Sequence, residues 1–158
     1  MAILQYKIRE KPVLELEFLL SLSEFYSRET KWIKAKITFK FFTGFPEISI
    51  ERSGQEIENI EQFIGDLREI TKENISRKQK EIIDFYPLEP DYRITVTREG
   101  SAYEILVVLD ATGAKGLGIY CGAGPALRMS TDATSLRAFT DDLKKELDEI
   151  KQIGKRSE

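Results

Sequence analysis

The sequence predicts an α+β fold, mainly antiparallel sheet with two amphipathic helices packed on one face, in the order strands-helix-strands-helix. Three observations carry this prediction. Several segments alternate apolar and polar residues with a period of two, the pattern of a half-buried strand. Two other segments repeat apolar residues every three or four positions, the pattern of a helix with one buried stripe. The links between strands are short and rich in turn residues, which joins neighbours antiparallel and leaves the helices segregated from the sheet.

In the first half, Leu14, Leu16, Phe18, Leu20 and Leu22 share one face, with Glu15 and Glu17 on the other. Residues 32–43 alternate more cleanly, Ile33, Ala35, Ile37, Phe39 and Phe41 opposing Trp32, Lys34, Lys36, Thr38 and Lys40. A weaker pattern over Ile3 to Ile8 fits an edge strand. Gly44 and Pro46 punctuate the next turn, and Ile48 with Ile50 continues a short strand. Ser53-Gly54 is expected to end the sheet. The first helix follows, because Ile57, Ile60, Phe63, Ile64, Leu67 and Ile70 recur at helical spacing. Its opening acids, Glu56, Glu58 and Glu61, complement the positive end of the helix dipole. Residues 71–80 are polar and basic, the expected seam between halves 1–72 and 80–154 of a single domain spanning 1–158.

The second half repeats the order. Ile82 to Tyr86 leads into Pro87 and Pro90, after which Tyr92, Ile94 and Val96 alternate with Arg93, Thr95 and Thr97. Gly100-Ser101 supplies a turn, and Tyr103 through Leu109 is apolar on both faces, as in a central strand. A glycine-rich connection delivers Leu127 and Met129 to another strand. Leu136, Phe139, Leu143, Leu147, Ile150 and Ile153 then run at helical spacing. Thr131 or Asp132 is placed to cap this last helix through a side-chain oxygen.

Chemistry is limited by what the 158 residues lack: there is no histidine and one cysteine, Cys121. Ser-His and Cys-His nucleophile pairs, imidazole zinc sites, thiolate clusters and internal disulfides are thereby excluded. No cofactor or metal is expected. A net charge of −3 argues against an extended nucleic-acid surface. Early charges from Lys7 to Glu17 break any secretion signal, and the longest apolar run, Ile105 to Leu109, is too short to span a bilayer. The expectation is a cytoplasmic protein without a membrane role.

Four features merit weighing. Gly113, Gly116, Gly118, Gly122 and Gly124 resemble a phosphate-cradling loop, and a small-ligand or regulatory module using segment 113–124 is the alternative function. Their position between two strands and their spacing match neither the dinucleotide nor the P-loop fingerprint. Cys121 has no histidine base and reads as a small apolar residue. Asp84, Glu89 and Asp91 lie beside Phe85, Tyr86 and Tyr92, a sugar-friendly composition, but nothing fixes two carboxylates across a cleft. Lys34, Lys36 and Lys40 share a strand face with Trp32, and cross-strand pairing with Glu15 and Glu17 explains them more simply than nucleic acid does. Trp32 remains a large aromatic on a polar face, waiting for cover or for a partner.

Residues 86–147 carry a resemblance. Leu88-Glu89-Pro90, the alternating Tyr92, Ile94 and Val96, the strand Tyr103 to Leu109, the run Leu127-Arg128-Met129-Ser130-Thr131-Asp132 and the helix bearing Leu136, Phe139 and Leu143 resemble the WapI-type immunity proteins. Trp32-Ile33 and Phe63 fit the family's early strand and first helix, so the likeness covers about residues 30–150. The chain departs from the family in carrying Ala133 where Gln is common and in a longer glycine-rich insertion. The resemblance implies a non-enzymatic protein that sequesters a cognate bacterial toxin. Residue type nominates Asp84, Tyr86, Glu89, Asp91 and Tyr92 as the contact surface, with Trp32 as a second choice. Apolar strand edges leave a homodimer open.

Overall fold

A computed structural model describes residues 1–23, 31–72, 81–86, 92–109 and 126–156. Its elements run β1 (Ala2–Ile8), β2 (Lys11–Leu22), β3 (Trp32–Phe41), β4 (Ile48–Glu56), α1 (Ile57–Ile70), β5 (Ile82–Phe85), β6 (Tyr92–Glu99), β7 (Ala102–Leu109), β8 (Ala126–Asp132) and α2 (Ala133–Arg156). The α+β class and the order strands-helix-strands-helix are those the sequence predicts. The strands divide between two four-stranded antiparallel sheets, β1-β2-β3-β4 and β5-β6-β7-β8. Each sheet is a meander followed by one helix.

Strand alternation decides which side chains go inside. Leu14, Leu16, Phe18 and Leu20 of β2 and Ile33, Ala35, Ile37 and Phe39 of β3 are buried, and Tyr92, Ile94 and Val96 do the same in β6. β7 pairs along both edges, with β6 and with β8, so it is an interior strand as expected, with Tyr103, Ile105, Val107 and Leu109 buried on one face. One expectation fails: Ser53-Gly54 does not end the first sheet. Ile33 pairs with Gln55 and Lys34 with Ser53, so Gly54 is the residue skipped at a β-bulge and β4 runs on to Glu56. Glycine in a strand interior often marks such a bulge.

The helical stripes pack as their spacing demands. All six apolar stripe residues of α1, Ile57 to Ile70, are buried. In α2, Leu136, Phe139, Leu143, Leu147 and Ile150 are buried, whereas Ile153 is exposed and Gly154 takes the inward position. Asp132 caps α2, its Oδ1 accepting from the Ser135 amide at 2.7 Å. Thr131 instead faces inward from β8.

Packing is crosswise. α2 follows the second sheet yet lies against β1 and β2 of the first. Phe63 of α1, from the first half, stacks on Phe85 of β5 in the second sheet, ring centroids 4.4 Å apart. Phe18 of β2 meets Tyr92 of β6 edge-on at 6.2 Å. The buried side chains form one continuous core. Glu146 of α2 finishes the first sheet: its Oε2 accepts the Leu20 amide at 2.8 Å, just beyond the point where β1 stops pairing with β2. A buried amide without a partner costs about 1–3 kcal/mol, which explains a carboxylate on the apolar side of a helix.

Candidate functional site

The stretch from Asp84 to Tyr92 divides between surface and core. β5 alternates, so Ile83 and Phe85 point inward and Asp84 points to the outer face of the second sheet. Thr95 is its register partner on β6. Asp84 Oδ1 accepts from Thr95 Oγ1 at 2.7 Å, from Arg93 Nη2 at 2.8 Å and from Arg93 Nε at 3.2 Å. The Arg93 guanidinium also lies over the Tyr86 ring, 4.9 Å from its centroid. Partial burial pushes the Asp84 carboxyl up, but the Thr95 and Arg93 hydrogen bonds and the Arg93 charge outweigh it and hold the group below its ordinary value. The result is a preset polar cluster whose aromatic, Tyr86, is 44% exposed.

Tyr92 is a correction to the expected contact surface. It is 0% exposed. Its ring packs on Phe18, and its hydroxyl donates to the buried Gln55 Oε1 at 3.1 Å. The signal for this lies in the sequence: Tyr92 heads the inward series with Ile94 and Val96, and strand phase, not residue type, sets its place. Glu89 and Asp91 lie outside the described residues, as do Cys121 and the glycines of 113–124. Of the three neighbouring carboxylates only Asp84 is placed.

Trp32 sits half-buried at the start of β3, on the other sheet from Asp84. Of the lysines on its face, Lys40 pairs across strands with Glu15 and Glu17 as expected. Lys40 Nζ bonds Glu17 Oε1 and lies 3.9 Å from Glu15, which also accepts from Gln5 Nε2 at 2.7 Å. The Glu17 hydrogen bond, against the opposing effect of burial, and the nearby carboxylates raise the Lys40 pKa. Glu15 and Glu17 are themselves nearly buried in this ladder.

A surface that residue-type reasoning passed over lies at the β3–β4 turn. Phe42 and Phe45 are 54% and 70% exposed, and Phe45 stands edge-on to Phe41 at 6.1 Å. With Val13, Leu14, Pro46 and Ile48, Phe41 and Phe45 border a hollow of about 380 Å³. The available signal was phase again, since Phe42 falls on the outward face of the β3 alternation. Gly44, at φ +89°, makes the turn that projects Phe45.

Among the described residues, no group of histidine, cysteine, aspartate and glutamate could hold a metal ion, and no helix is long and apolar enough to cross a membrane. The molecule is thus an α+β fold of two meanders and two helices, with ion pairs on each sheet and with Phe42, Phe45 and Tyr86 exposed. It belongs to the WapI-like immunity protein family, which matches residues 12–151. Among curated proteins, no match to the chain is found. Membership makes the general role immunity, and proteins of this family are generally not enzymes.

Proposed function

We propose that this protein protects the cell that makes it by binding a cognate bacterial toxin and covering the toxin's active surface. The family match across residues 12–151 carries the reading. Its surfaces support it: exposed Phe42, Phe45 and Tyr86 are the aromatic anchors that protein interfaces favour, and the Asp84–Arg93 pair offers a polar rim. Trp32, Asp84 and Tyr86, with Glu89 and Asp91, are the contact candidates from the sequence, and Tyr92 serves them only from beneath. A net charge of −3 speeds encounter with a basic toxin. The protein acts in the cytoplasm, without cofactor or turnover. Co-expression with the adjacent-gene toxin domain tests this: growth is restored and the two proteins elute as one complex. A folded toxin that neither binds nor is neutralised overturns the proposal.

A further inference from the structure

We propose that the toxin is held in part by strand addition, an extended and uncharged segment of it pairing with the open edge of β1 in the cleft between the two sheets. The inference rests on the toxin-binding reading above. β1 and β8 are outermost in their sheets and approach each other on one side of the molecule. Ile3–Lys7 of β1 and Ser130–Asp132 of β8 face across a cleft of about 740 Å³, which Ser135 and Ala138 of α2 also line.

Backbone direction decides what the cleft offers. The Phe42 amide donates to Val13 O at 3.1 Å, so Val13 and every second residue along β2 turn their backbone groups toward β3. Leu14, Leu16, Phe18 and Leu20 therefore turn theirs toward β1. The Leu20 amide, reaching Glu146 past the end of β1, agrees. Ala2 and Leu4 close the ladder with Phe18 and Leu16, which leaves the N–H and C=O of Ile3 and Gln5 aimed away from β2. Among the described residues, no backbone group outside the β1–β2 ladder bonds to them. The same alternation runs from the Arg98 amide, which donates to Glu81 O, through β6 and β7, and turns the backbone of Ser130 outward on the facing wall.

Only another extended backbone presents N–H and C=O groups at the matching repeat. An open edge normally carries a charge, a proline or an early bulge that discourages pairing. β1 has none of these before its irregularity at Tyr6/Lys7. β1 lines the cleft with the run Ile3–Lys7, which sets the length of edge that an added strand can meet. Lys7 and Asp132, one of each sign, are the charged residues among those lining it. A charged segment would therefore lose its hydration there without net compensation, and an uncharged one would not.

The test uses the full chain and its toxin domain. Gln5→Pro removes the outward amide, a change that edge strands tolerate, and Gln5→Ala removes the same side chain but keeps the amide. Gln5→Pro is expected to weaken binding at least about tenfold relative to Gln5→Ala. In the wild-type complex, hydrogen exchange at the Ile3 and Gln5 amides should slow by a similar factor or more. Equal affinity of the two variants, with no protection at either amide, overturns strand addition while toxin binding stands. If Gln5→Pro fails to fold, the wild-type exchange measurement decides alone. A concentration-dependent dimer that protects the same amides without toxin assigns the edge to a second copy and overturns the proposal. Absence of any wild-type complex removes this inference together with the reading beneath it.

Discussion

Arg9 and Glu10 connect β1 to β2, with Ile8 paired to Lys11 across them. Their φ angles are 49° and 66°. Two left-handed residues in a two-residue hairpin define a type I′ turn, the form whose twist matches its strands. Residues with a Cβ adopt it at roughly 1–2 kcal/mol each. The β6–β7 hairpin meets part of this need with Gly100, at φ +64°. Replacing Arg9 by Asn and Glu10 by Gly should therefore stabilise the protein by about 1–2 kcal/mol, raising its melting temperature by roughly 2–8 °C. Calorimetry of the double variant checks this, and a lower melting temperature would show that Arg9 or Glu10 makes a contact worth more than the strain it bears.

Among the elements, the C-terminus of α1 shows how the fold satisfies a helix end without glycine. Thr71 Oγ1 donates to Leu67 O at 3.0 Å and to Arg68 O at 3.1 Å, and the Lys72 amide reaches Glu69 O. Ile70 O accepts from Tyr103 Oη and from Arg98 Nη1, both at 3.2 Å, and Thr71 O accepts from Arg137. Two guanidinium groups thus stand at the negative end of the helix dipole. Tyr103→Phe should cost about 1 kcal/mol and Arg98→Ala about 1–3 kcal/mol in urea unfolding. Because both donors share Ile70 O, each single variant leaves that carbonyl one partner and the double variant leaves it none. The double should therefore lose more than the sum. Strict additivity would argue against a common acceptor. The stripe of α1 and the phase of β2, β3 and β6 were legible in the sequence, because periodicity states which side chains face inward. It does not state which strands pair, so the split into two sheets and the Gly54 bulge were not legible. The candidate surface was legible only in part: Asp84 and Tyr86 do reach the outside, Tyr92 was misplaced by residue type, and the aromatic tip at Phe42 and Phe45 was overlooked. Nor does single-strand phase reveal a cleft made by β1 and β8, which lie over a hundred residues apart.

For the whole molecule, crosswise packing sets the unit of stability. α2 covers the first sheet, and α1 places Phe63 against the second. Fragments 1–72 and 80–154 should each lack a cooperative melting transition alone, because each would expose the face that the other's helix covers. Mixed in equal amounts they should regain it, as circular dichroism can follow. A sharp transition from either fragment by itself would refute this interdependence. The exchange of helices between halves also governs how the sequence can change over time. A substitution beneath α2 must be accommodated by strands laid down a hundred residues earlier, so neither half can drift alone. Inheritance is then free to diversify the rims and turns that meet an adversary, while the interior changes only in matched pairs.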